Sequence, residues 1–210
     1  MPQNLHPTIV IHGFFVAPIT NLPTHLALRS RGFQTHDVEG IPGMNVQDPR
    51  ISAERTHETI ERVRAQSGAD KVNLVGISLG GLIGLCYLRK YGQLKRVQTF
   101  AAMGSPFHGT RFSMVGRPIF GLVPQMHEAR DTVKLLAAGS ELMDYMHAEP
   151  IGSCRVISVW AKGDPIVSER EARLDWAENL QAPVSMGLLS HHTLVAHPTN
   201  LLYLADLLTG

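Results

Sequence analysis

Long apolar runs, net charge and cysteine are what this sequence has least of, and each shortage removes a class of protein. No stretch of about 18 consecutive apolar residues occurs, so no transmembrane helix is expected. Lys and Arg number 19 against 18 Asp and Glu, a formal net charge of +1, which provides no broad basic surface for nucleic acid. The 2 cysteines, Cys86 and Cys154, lie far apart and make neither a disulfide framework nor a metal-spaced pair. They read as reduced, structural thiols. The 11 histidines contain no H-e-x-x-H zinc spacing, and no G-x-G-x-x-G or G-K-[ST] phosphate loop is present. No basic segment followed by an apolar one opens the chain, so a cytoplasmic protein is expected.

What is present is an ordinary globular balance: 210 residues, 44% hydrophobic and 18% charged, enough for one domain over 1–210 with a sizeable core. Strand-like apolar runs at 8–11, 33–38, 71–76, 97–103, 156–161 and 184–187 alternate with helix-like segments at 21–31, 52–67, 79–91 and 198–208. Ser52 is the expected cap of the second helix. This alternation predicts an α/β fold, a mostly parallel sheet of about six strands with helices on both faces. In such sheets functional groups gather at the carboxyl ends of the strands. Residues 107–152 break the alternation and read as a small lid-like insertion, or as a crossover packed on the core.

The chemistry-bearing motif is Gly76-Ile77-Ser78-Leu79-Gly80, followed by Gly81. It stands where a strand ends and a helix begins. A serine on such a turn is strained, exposed and placed at a helix N-terminus that favours developing negative charge. Three further segments accompany it: Ile11-His12-Gly13-Phe14, Gly104-Ser105-Pro106-Phe107-His108-Gly109-Thr110, and a late Asp…His pair. Together they resemble the compact bacterial lipase and esterase branch of the α/β-hydrolase family. The third segment resembles that family's G-[ST]-P-H-x-G-[ST], with its histidine one place late at His108.

The strand–turn–helix and the resemblance together imply Ser78 as nucleophile. Leu79, the residue after it, would supply one backbone N–H of an oxyanion hole. By resemblance Phe14 supplies the other. Among the aspartates after Ser78, Asp131, Asp175 and Asp206 lie in helix-like stretches. Asp164 follows a strand, in a Gly163-Asp164-Pro165 turn, and Asp164-Pro165-Ile166-Val167 resembles the family's acid loop. Three histidines follow Asp164: His191, His192 and His197. The family's H-x-x-L-L form matches His191 with Leu194 and Val195, so His191 is preferred to His192 as base. His197 reads as the first residue of the last helix.

The implied activity is hydrolysis of carboxylic esters of small molecules or lipids, with no metal and no cofactor. A thioesterase or acyltransferase would use the same groups. A catalytically silent scaffold that binds a ligand would share the fold but has no need of all five groups. The expected acyl-pocket lining is Phe15 with Phe112, Phe120 and Leu122 of the insertion, whose first half is unusually apolar.

Overall fold

The computed structural model describes residues 5–14, 16–41, 45–110, 127–147 and 154–209. Their architecture is one six-stranded sheet in which every pairing is parallel. The strands are β1 (Thr8–Ile11), β2 (Thr35–Asp37), β3 (Val72–Ile77), β4 (Val97–Met103), β5 (Arg155–Trp160) and β6 (Glu178–Gln181), in the order β2-β1-β3-β4-β5-β6. The α-helices described are α1 (Leu22–Ser30), α2 (Pro49–Ser67), α3 (Leu79–Tyr91), α4 (His127–Leu135), α5 (Glu141–His147), α6 (Glu169–Ala172), α7 (Ser190–Ala196) and α8 (Pro198–Leu207), the last two following β6.

Burial on both faces explains why the central strands are such plain apolar runs. Side chains alternate sides along a strand. Ile9, Ile11, Leu74 and Phe100 therefore point to one face, where they pack with Ile60 and Val63 of α2 and Leu82 and Ile83 of α3. Val10, Val75, Ala101 and Ile157 point to the other and pack with Leu28 of α1 and Leu204 of α8. Helix α3 lies in the middle of the first layer, and every residue from Leu79 to Leu88 is buried. The two edge strands, Thr35–Asp37 and Glu178–Gln181, are polar because each has one side unpaired.

The last strand departs from the sequence expectation. Residues 184–187 form no strand, and β6 lies at Glu178–Gln181, a segment without an apolar signal. The ladder groups of Val184 are taken instead by one side chain. Its N–H donates to Asn200 Oδ1 and its carbonyl accepts from Asn200 Nδ2, both at 2.9 Å. The cap of α2 also differs. Asp48, not Ser52, caps it by accepting from Arg50 N at 2.9 Å, with Pro49 at the first helical position, and Ser52 is buried inside the helix. Asp175 lies in a turn between α6 and β6 rather than in a helix.

The described half of the 107–152 segment is built into the core. Leu136, Leu142, Met143 and Met146 join the same cluster as α3. Arg89 of α3 donates to the Met146 carbonyl at 3.0 and 3.2 Å, and Arg50 of α2 meets Glu141 at 2.6 Å. Residues 127–147 thus form a packed crossover between β4 and β5. Phe107 is fully buried as well. Residues 111–126, on which the lid expectation chiefly rests, lie outside the described residues, as do Phe15, Phe112, Phe120 and Leu122. Among the described residues no helix is long and apolar enough to cross a membrane.

Candidate active site

Three strands end side by side because their register is aligned. Gly76 of β3 pairs with Ile11 of β1 and with Ala102 of β4. The chain leaving β3 therefore turns between the His12-Gly13-Phe14 loop and the Gly104 turn. Ser78 sits on that turn with φ 52 and ψ −116, left-handed backbone that a non-glycine residue rarely adopts. Its N–H is tied to the Met103 carbonyl at 2.8 Å, and its carbonyl receives Gly81 N–H at 3.0 Å. The glycine after the next residue is a requirement of packing. A Cβ on Gly80 would lie 2.2 Å from the Ile11 carbonyl oxygen.

His191 reaches Ser78 from α7, 113 residues later, with Nε2 3.3 Å from Ser78 Oγ. Its Nδ1 donates to Asp164 Oδ2 at 2.8 Å, which leaves Nε2 as the acceptor facing the serine hydroxyl. The start of α7 is held by Ser190, whose Oγ donates to the Lys162 carbonyl at 2.9 Å and accepts from Met186 N at 3.0 Å. Room for the imidazole comes from Gly104 (φ 61), where a Cβ would lie 3.3 Å from His191 Cε1 and 2.8 Å from Leu194 Cδ2. The Asp164 side chain is fully buried and fully used. While Oδ2 serves His191, Oδ1 accepts from Ile166 N at 2.8 Å and Val167 N at 3.0 Å. Such backbone donors keep a buried carboxylate from being stranded.

Ser78 and His191 open on a cavity of about 400 Å³. Leu79 and Phe14 both border it, and its remaining wall is mostly apolar, with Val16, Leu136, Ile166, Val167 and Val195. Those five come from four separate stretches of chain. No sequence pattern links them. A wider depression of about 1100 Å³, bordered by Ser168, Glu169, Arg170 and Arg173, includes neither Ser78 nor His191. Among the described residues no group of three His, Cys, Asp or Glu is arranged to hold a metal ion. Burial pushes the Cys86 thiol up to about 12 and the Cys154 thiol up to about 11, so neither is a thiolate at neutral pH.

Comparison with known proteins bears on the fold. A sequence model described as the α/β hydrolase fold matches residues 41–121. No curated protein matches the sequence. Among solved structures, the mature form of the Bacillus licheniformis lipase BlEst2 superposes with a TM-score of 0.80 at 16% identity, covering 99% of this chain and 94% of that one. The Aspergillus fumigatus lipase B superposes with a TM-score of 0.78 at 19% identity, and all of this chain spans 53% of that one. Carboxylesterase CesB from Bacillus subtilis gives 0.60 at 15% identity, with 100% and 86% covered. The chain has the α/β-hydrolase fold.

In this α/β-hydrolase fold the other histidines take separate places. His192 stands at the cavity rim, exposed, with its ring 6.3 Å from that of His191 and nearly perpendicular to it. His197 caps α8, its Nδ1 accepting from Thr199 N at 3.2 Å. His108, the displaced histidine of the Gly104–Thr110 segment, donates through Nε2 to the Arg173 carbonyl at 2.8 Å. Pro106 and Thr110 of that segment border the cavity.

His12, just past β1, is 1% exposed, and its Nε2 has no partner among the described residues. Burial lowers its pKa below 6.5, against an opposing pull from Asp37. His36 is lowered as well, chiefly by burial. Both bind a proton more readily in the unfolded chain than in the folded one. Their contribution to stability is complete above pH 6.5 and is lost as pH falls through the lower native values. Asp37 behaves differently. Burial pushes its carboxyl up, but bonds from His25 and Asn21 outweigh this and hold it below 3.8, so its loss comes only in stronger acid. The melting temperature is expected to fall as pH is lowered from about 7 to about 5, and His12→Gln should flatten that slope. A slope unchanged in the variant would remove His12 as its source.

Proposed function

We propose that this chain is a serine hydrolase that cleaves carboxylic esters with apolar acyl groups through an acyl-enzyme intermediate. The observation that carries the reading is the hydrogen-bonded line Ser78–His191–Asp164 opening on a mostly apolar cavity. That the neighbours in fold include lipases and a carboxylesterase supports it as analogy.

The steps follow from the groups in place. His191 Nε2 takes the Ser78 hydroxyl proton while Oγ bonds to the acyl carbon and the carbonyl π pair moves onto oxygen. Phe14 and Leu79 border the cavity, and their backbone amides are the proposed donors to that oxyanion, each worth about 3–4 kcal/mol of barrier. Asp164 holds the imidazole and offsets the charge it gains. The tetrahedral species collapses, the C–O bond to the alcohol breaks, and His191 returns the proton to the leaving oxygen. Water then attacks the acyl-enzyme with the same help and frees the acid and Ser78.

The test is a panel of p-nitrophenyl esters and matching thioesters of rising acyl length, with fluorophosphonate labelling located by mass spectrometry. Ester turnover with the label on Ser78 alone is expected. Turnover of thioesters only would redirect the reading to that leaving group. Labelling elsewhere, or none, would sink it. Within the ester series, kcat/KM should rise by up to roughly fourfold per methylene from acetyl to at least butyryl as the acyl chain enters the apolar cavity. Ile166→Ser, which thins that wall, should flatten the rise while acetyl ester turnover stays within about tenfold. An unchanged profile in the folded variant would place the acyl chain elsewhere.

A further inference from the structure

The loop that carries Phe14 is braced from behind by a residue outside every motif discussed so far. Asn45 is completely buried, and its Nδ2 donates to the His12 carbonyl at 2.7 Å. That carbonyl belongs to the peptide just before the one that carries the Phe14 N–H. The first turn of α3 is also close, and a Cβ on Gly80 would lie 3.0 Å from the His12 oxygen. The peptide thus meets both Asn45 and the turn after Ser78. Asn45 Oδ1 is buried with no partner among the described residues, and the Asn45 backbone has φ 45, in the left-handed region. Asparagine tolerates that left-handed backbone better than other non-glycine residues, and in it the Nδ2 donor is aimed at the loop.

Asn45 is itself secured from the crossover. Thr132 of α4 is 2% exposed, and its Oγ1 donates to the carbonyl of Val46, the next residue along. A hydrogen-bonded series therefore runs from α4, through residues 46 and 45, to the His12–Phe14 loop.

We propose that Asn45 and Thr132 are positioning residues for the oxyanion-stabilising loop, so that the crossover helix sets the placement of the Phe14 amide. The idea rests on the ester-hydrolase reading given above. An amide aimed beforehand at a developing oxyanion stabilises it without reorganising, and a small misplacement forfeits much of that effect. The loss therefore falls on kcat, with KM nearly unchanged, because substrate is gripped mainly by the apolar wall.

The experiment compares Asn45→Ala, Asn45→Asp, Thr132→Val, Thr132→Ser and the double variant Asn45→Ala/Thr132→Val with the unmodified chain. It measures kcat and KM on a butyryl ester, affinity for an alkylboronic acid that forms a tetrahedral adduct on serine, fluorophosphonate labelling of Ser78, and thermal melting. Asn45→Ala and Asn45→Asp should lose about tenfold or more in kcat, short of the roughly 10²–10³ expected when a whole donor is removed. Asp matches Asn in shape but has no hydrogen to give. Thr132→Val should lose about threefold and Thr132→Ser, which keeps the hydroxyl, should retain full activity. Because the two act in series, the double variant should fall no more than about twofold below Asn45→Ala. Boronic acid affinity should drop in step with kcat/KM, and Ser78 should still be labelled to completion, more slowly.

Variants that melt earlier but keep kcat per folded molecule would overturn the proposal, as would full activity in Asn45→Asp. If the Asn45 variants do not fold, equal activity of Thr132→Val and Thr132→Ser overturns it by itself. An unmodified chain that neither turns over esters nor takes the label at Ser78 would instead overturn the functional reading.

Discussion

Ser78→Ala is expected to lower ester turnover by about 10⁴-fold or more while leaving the melting temperature within a few degrees of the parent. The loss is large because the reaction has no other place to begin. Among the described residues His191 Nε2 faces one hydroxyl, at 3.3 Å, and both cysteine thiols are held protonated by burial. The fold should survive because the Ser78 side chain caps nothing. It makes no hydrogen bond to the backbone of α3, and the turn is held by main-chain bonds to Met103 and Gly81 that alanine preserves. The left-handed φ of 52 remains, so the variant keeps the strain it started with. Steady-state kinetics beside circular dichroism checks both halves. Activity near that of the parent in a folded Ser78→Ala protein would end the nucleophile assignment.

His191→Ala should cost as much as Ser78→Ala, and His192→Ala less than about tenfold. The two rings are neighbours in sequence, but only one is in line. The His191 ring bridges Asp164 at 2.8 Å and Ser78 at 3.3 Å, and its side chain is 11% exposed. The His192 ring lies edge-on at the cavity rim in contact with solvent. Groups that act as one unit also lose little more together than singly, so Ser78→Ala/His191→Ala should be about as slow as either alone. His191→Ala additionally leaves the fully buried Asp164 carboxylate without its side-chain partner, so a drop in stability is expected for it and not for His192→Ala. Reversed behaviour of the two histidine variants would shift the base to His192.

The parts of this molecule that could be read from the chain are those whose cause is local. Thr8–Ile11, Val72–Ile77 and Val97–Met103 are legible as buried strands because a strand covered on both faces needs mostly apolar residues on both of its sides. The turn at Ser78 is legible because a strand, a strained residue and a close-packed helix must follow one another within a few positions. The short helix at Glu169–Ala172 carries the local signature of a capping box, Ser168 with Glu171, although the broad alternation passes over it. The Glu178–Gln181 strand carries no such mark, since an edge strand is free to be polar and its partner is chosen by β5.

Sequence by itself thus determined the alternating architecture, the strand-to-helix serine and, with the help of a resemblance, a short set of candidates for its partners. Only the tertiary structure shows which of His191 and His192 lies beside Ser78, because adjacent residues on a helix point about 100° apart and chain order says nothing of which one meets a serine 113 residues away. It alone assembled the cavity wall from Val16, Leu136, Ile166, Val167 and Val195, and set Asn45 behind His12. Side chains brought together by sheet order and helix packing share no periodicity. Their proximity is a property of how the layers close, and no local stretch of the chain encodes it.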